Sequence, residues 1–143
     1  MKKQTVRSFA MLGLLLLFTN VSVSAQTERT VTNIPFDFIV GNRALAAGQY
    51  TIEPRERSYG SLWLIRSTNN SAAVFVITIR VSSEAEEKGK LVFHKYGDQL
   101  FLSQIWIPGR ATGGELLISR LERNVAKNSV RSLVIAPIAS NKR

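Results

Sequence analysis

From Ile34 onward the chain is a succession of short β-branched and aromatic runs, roughly ten residues apart and separated by turn signals. This pattern restricts the fold more than any other feature. Between Ile34 and Val40, Phe36, Phe38 and Val40 share one face against Asp37, as in a half-buried strand, and Pro35 belongs at its start or on an edge. After the loop GNRALAAG, Tyr50 and Ile52 begin a second strand that should stop at Pro54. SLWLIR (Ser61–Arg66) follows, then Ala72–Val81, a stretch too rich in Val, Ile and Thr to prefer a helix and the natural central strand. LVFHKY and QLFLSQIWI flank Gly97 and Asp98, the spacing of a two-residue hairpin. The period then changes. Leu117, Leu121 and Val125 recur every four residues, and Ser119 with Glu122 has capping-box spacing, so one short helix is expected over about 115–127. SLVIAPI (Ser132–Ile138) reads as a last strand, confined by Pro137 to an edge or to its own end. The expected fold is mainly β: an antiparallel sandwich or small barrel of 6–7 short strands with one C-terminal helix.

The N-terminus has a different character. Lys2, Lys3 and Arg7 precede the apolar run FAMLGLLLLF, which fades into polar residues and ends at the small-residue site Val23, Ser24, Ala25. That is the layout of a secretory signal peptide, and the run from Phe9 to Phe18 is about half of what a membrane-spanning helix needs. Residues 1–25 are therefore read as a signal peptide cleaved before Gln26, with an uncleaved N-terminal anchor as the competing reading, and 26–143 as a single secreted β-domain. QTERTVTN is its expected polar lead-in. Without the leader, 118 of the 143 residues remain, enough to bury one core. The absence of cysteine leaves hydrophobic packing to hold that core and suits a bacterial periplasm better than a disulfide-rich secreted module. Loss of Lys2, Lys3 and Arg7 lowers the formal charge from +9 to +6, a basic surplus compatible with ordinary solubility or with envelope polyanions.

Chemistry is sparsely signalled. His94 is the one histidine, placed to share a side of its strand with Val92 and Tyr96. Asp98 and Ser103 could approach it across the hairpin as a Ser, His and Asp set. Three common residue types within ten positions identify no such set, so His94 is read as a hairpin surface histidine, a weak functional candidate, and no catalytic residue is assigned. Without cysteine and with a single histidine, no zinc site is expected. Glu84, Glu86 and Glu87 lack calcium-loop spacing and sit beside Lys88 and Lys90, so no metal or other cofactor is assigned. No phosphate-cradling motif is present, and Gly113 and Gly114 lack the Walker or GxGxxG context. Trp63 and Trp106 lie inside apolar runs and read as core rather than as stacking platforms, so no nucleic acid is specifically indicated. Arg55 and Arg57, on a charged turn, are the candidate anion contacts.

FDFIVGNRALAAGQYTI, with HKYGDQLFLSQIWIPG and GGELLISRLER further on, resembles a group of small exported bacterial proteins of unknown function. The group's motif is F-x-V-G followed by L-P-A-G-x-Y-x-I. Phe38, Val40, Gly41, Leu45, Gly48, Tyr50 and Ile52 match it, with Ala46 where proline is usual, which implies a less rigid loop. The resemblance implies a shared fold and carries no catalytic residue.

These features point to an exported, non-enzymatic β-domain of the periplasm or cell envelope that acts through surface contacts. Envelope polyanions or another envelope protein would be its partners, and no membrane span would remain after cleavage. A small barrel lined for an apolar ligand and a polyanion-binding module are the alternatives. A filled core is favoured over a cavity, because roughly eight strands are needed before one opens. A membrane-embedded barrel is disfavoured, since only Ala72–Val81 reaches spanning length.

Overall fold

A computed structural model describes residues 29–57, 60–84 and 88–138, except for the side chains of 56–61. The signal peptide, its cleavage site, the Arg57 side chain, Glu86, Glu87 and the C-terminal tail lie outside this description. The described residues are mainly β. In chain order they form β1 (Thr30–Ile34), β2 (Phe38–Val40), β3 (Arg43–Leu45), β4 (Gly48–Arg57), β5 (Gly60–Ser67), β6 (Ala73–Ser82), β7 (Gly89–Tyr96), β8 (Gln99–Trp106), β9 (Thr112–Leu116), α1 (Arg120–Ala126) and β10 (Arg131–Ile138).

One sheet contains all ten strands. Antiparallel ladders join β1, β4, β5, β6, β9, β8, β7 and β10 in that spatial order. The β2–β3 hairpin adds to β8 through one parallel pairing, Ile39 with Phe101, which makes the sheet mixed. The path is open. Its two ends nevertheless lie side by side, where the Thr32 hydroxyl donates to the Pro137 carbonyl at 3.4 Å. The result is a small barrel-like fold with a seam between β1 and β10. Its interior is filled by Phe38, Ile52, Ile65, Leu91, Phe93 and Ile105, as expected for a barrel of about eight strands. Phe93 meets Phe36 and Phe38 edge-on, with ring centroids 5.1 and 5.7 Å apart.

β6 is interior to the sheet, flanked by β5 and β9, as its β-branched composition implies. The β7–β8 hairpin turns at Gly97, whose φ of 59° suits the first central position of a tight turn. Pro137 lies in β10, which has a ladder on one side only, and so costs no interior hydrogen bond.

Five local features differ from the sequence reading, the first being that the expected loop GNRALAAG carries β3, paired with β2. The expected Ile34–Val40 strand is divided at Pro35 into the end of β1 and the whole of β2. The polar lead-in contains β1, because Thr32 is buried beside Ile34 and a β-branched threonine serves an inward strand position as well as valine does. β4 runs on through Pro54 to Arg57; its β1 partner ends opposite Ile52, so Pro54 occupies a stretch paired only with β5. The helix is shorter than 115–127, since Thr112–Leu116 pairs with β6 as β9. Gly113 and Gly114 make that strand possible. A Cβ on Gly113 would lie 2.7 Å from the Trp106 ring, and one on Gly114 would lie 2.7 Å from Trp63 Nε1, so each indole packs directly on backbone.

Candidate functional site

On the outward face of β7 and β8 a polar cluster lies beneath α1. Leu102 and Ile105 both face the core although they are three residues apart, which an unbroken strand could not achieve. A β-bulge resolves this. Val92 pairs with Gln104 and Phe93 with Leu102, so Ser103 has no counterpart and is turned outward toward His94. From the other side, α1 presents Glu122. The Ser119 side chain caps the helix by accepting the Glu122 backbone N–H at 3.1 Å, the capping expected from the sequence.

The cluster is continuous. His94 Nδ1 lies 2.6 Å from Glu122 Oε1, His94 Nε2 lies 3.0 Å from Ser103 Oγ, and the Tyr96 hydroxyl donates to Glu122 Oε1 at 3.2 Å. With a neutral imidazole, Nδ1–H donates to the carboxylate and Nε2 accepts from the serine hydroxyl. The connectivity is that of a nucleophile, base and orienting acid. Its setting is that of a clasp. Ser103 is 5% exposed, Glu122 4% and the His94 side chain 14%, and Phe101 and Tyr96 are buried around them. Glu122 is the buried residue of α1, whereas Leu117, just before the helix, is 71% exposed and Leu121 is exposed as well. The helix is therefore anchored through a carboxylate and not through its apolar stripe. Burial raises the Tyr96 pKa above the ordinary phenol value of 10.0; the charge and hydrogen bond of Glu122 push it further up, and Arg131 opposes them.

The sequence reading of His94 is corrected on two counts. It is covered rather than a surface histidine, and the carboxylate that reaches it is Glu122 from the helix, not Asp98 from the hairpin turn. Only the spacing of Ser119 and Glu122 hinted at this, and it read as a cap.

The second region is the outward face of β6. Phe75, Ile77 and Ile79 stand in a row there, 64%, 73% and 50% exposed. Cross-strand register places Arg66 beside Ala73 at one end of the row, and Leu62 then Arg55 beside Ile77. Glu53, in the row of Phe75, is buried and already paired: Arg29 Nε lies 2.7 Å from Oε1 and Arg55 Nη2 3.0 Å from Oε2. Burial, the largest single influence on its carboxyl, opposes ionisation. The Arg29 hydrogen bond and the charges of Arg29, Arg55 and Arg66 outweigh it and hold the pKa below the usual value. Of the two candidate anion contacts, Arg55 is thus on the rim of this face.

Trp63 is in the inner core, its indole donating to Thr78 Oγ1 at 3.0 Å. Trp106 is buried on the outward side, its indole donating to Gln104 Oε1 at 3.0 Å with the Lys90 ammonium 6.0 Å from its ring centroid. Neither offers a free face for stacking. A shallow cleft of about 340 Å³ between the β2–β3 hairpin and the β7–β8 turn is lined by Phe38, Leu45 and Leu100, and does not include His94 or Ser103. Among the described residues no helix is long and apolar enough to cross a membrane. No family model, curated protein or solved structure matches the chain.

Proposed function

We propose that the protein is an exported, non-enzymatic β-domain of the periplasm or cell envelope that works through surface contact with anionic amphiphiles. The exposed row Phe75, Ile77 and Ile79 on β6 carries this reading. Three large apolar side chains on alternate positions span about 13 Å along the strand, and a fold that buries Thr32 and Ala136 gains nothing for its own core by leaving them in water. Arg55 and Arg66 on β4 and β5 give the row a positive border on that side, where the nearby Glu53 is already paired, while Glu115 on β9 stands beside Ile79 on the other. Apolar and basic surface side by side complements a ligand that is apolar and negative. The basic balance that remains after loss of the leader favours the same ligand.

The non-enzymatic part of the reading rests on burial. A serine nucleophile needs room for an acyl group beside Oγ, and Ser103 is enclosed by the residues that anchor α1. Lifting the helix to admit a substrate would withdraw Glu122 from His94 and dismantle the chain of hydrogen bonds.

Co-sedimentation with vesicles tests the proposal. The protein should pellet with phosphatidylglycerol-containing vesicles and stay soluble with pure phosphatidylcholine, the binding weakening as salt rises. Ile77→Asp should abolish pelleting while leaving the circular dichroism spectrum unchanged. Absence of pelleting at low salt, or a native mass of two chains with the β6 face protected from solvent, would overturn it.

A further inference from the structure

α1 and its C-terminal cap hold three cations on one side. At about 100° per residue, Arg120, Arg123 and Lys127 fall within about 60° of arc, and Lys127 keeps helical dihedral angles as the cap. Arg120 and Lys127 stand roughly opposite Glu122. The fastening of Glu122 to His94 and Tyr96 therefore turns the row to solvent, where Arg120, Arg123 and Lys127 are all exposed. The row is about 10 Å long.

Nothing on the helix offsets this charge. Glu122 is the one carboxylate between Leu117 and Ile138, and it is buried on the other side with His94. Every residue in that span is described, and among the described residues Arg120, Arg123 and Lys127 enter no ion pair. Of the neighbouring segments, β9 brings Glu115, which accepts from Gln104 Nε2 at 3.1 Å in the row between Gln104 and Ile79. The β7–β8 turn brings Asp98 on the side of Arg131, which hydrogen-bonds Tyr96 and is left out of the row. Helix stability does not call for the arrangement. Arg123 and Lys127 suit the last turn, but Arg120, at the first helical position, opposes the helix dipole, and like charges three and four residues apart repel. The Ser119 cap and the Glu122 anchor hold the helix in spite of them. A bound polyanion would relieve both strains.

We infer that the outer side of α1 binds a linear acidic polysaccharide. Cations about one helical turn apart complement carboxylates repeated along a chain, and the exposed Asn124 carboxamide among them can donate to and accept from sugar hydroxyls. The row is polar, with Leu121 only at its flank, whereas the β6 row is apolar with charges at its border. A hydrated polymer suits the first and an amphiphile the second. Nucleic acid would add stacking, and Trp63, Trp106 and Tyr96 are all buried.

Titration calorimetry of the protein with polygalacturonate, neutral dextran and a thymidine oligonucleotide tests the inference. Polygalacturonate should bind at low salt and weaken as salt rises, and dextran should not bind. Arg120→Gln, Arg123→Gln and Lys127→Gln should each weaken polygalacturonate about three- to fivefold, and the triple variant at least about thirtyfold. Glutamine is a good helix former, so the urea midpoint of the triple variant should hold or rise. A lower midpoint with unchanged affinity would make the cations structural and overturn the inference. So would absence of polygalacturonate binding at low salt, or binding of the oligonucleotide at equal or lower concentration, which would assign the row to nucleic acid. Ile77→Asp should bind polygalacturonate as the parent protein does, and the triple variant should still pellet with anionic vesicles. Loss of both ligands in either variant would merge the two surfaces and overturn the inference. Polygalacturonate binding without any vesicle pelleting would overturn the amphiphile reading alone.

Discussion

The outward face of β7 and β8 and that of β6 start from similar material and end differently. The first presents Val92, Tyr96 and Phe101, the second Phe75, Ile77 and Ile79. On the first, Glu122 of α1 is fastened to His94 and Tyr96, and Val92, Tyr96 and Phe101 are buried. The second remains in water, bordered by Arg55 and Arg66 on one side and Glu115 on the other. Covering a barrel's outside takes a helix and a polar fastening that satisfies every buried group, and among the described residues no buried side-chain nitrogen or oxygen lacks a partner. An apolar row that the chain leaves uncovered is surface available to something else.

The sharpest test of this contrast compares two phenylalanines. Phe101→Ala should cost about 3–5 kcal/mol of stability in urea unfolding, because a buried ring leaves a cavity, while Phe75→Ser should change it by less than about 0.5 kcal/mol and reduce vesicle binding instead. Similar losses at both positions would mean that the β6 row is covered in solution.

Next in size is the clasp. Glu122→Ala strands His94 and Tyr96 and should cost about 2–4 kcal/mol, read as a lower urea midpoint and faster amide exchange in α1. A neutral outcome would mean that the helix is held by something other than the carboxylate.

Smaller, and opposite in sign, are the pH responses of the two faces. The Tyr96 phenol has a raised pKa in the folded protein, so the unfolded chain loses its proton first as pH rises above about 10, and stability falls through the window up to the folded value. Tyr96→Phe should remove that loss. Glu53 has a lowered pKa, so its contribution is complete above the ordinary carboxyl value and disappears as pH falls through the folded value. Glu53→Gln should flatten the acid limb alone. Acid and alkaline melts of the two variants separate the faces, and a shared response would couple them.

Periodicity made much of the fold legible. The β6 run, the β7–β8 hairpin at Gly97 and the Ser119 cap are local, so neighbouring residues specify them. β1 was hidden because Thr32 looks polar in a string and behaves as a β-branched filler in a sheet. The candidate site was half legible: His94 and Ser103 fall within one hairpin, but Glu122 is 28 residues from His94 and reaches it only after the helix folds back over the sheet. Arg120, Arg123 and Lys127 are near neighbours in the string, whereas their shared exposure depends on Glu122 turning the opposite side of α1 to the sheet.

By itself the sequence determined a cysteine-free, mainly β chain with a capped helix near its C-terminal end, because strand alternation, turn residues and capping are set by interactions between near neighbours. Tertiary structure alone decided that the sheet curls until β1 lies beside β10, that a bulge turns Ser103 toward His94, that a glutamate rather than a leucine anchors the helix, and that the β6 row stays bare. Each of these depends on which distant segments share a surface, and a chain's local pattern is the same whichever partner finally covers it.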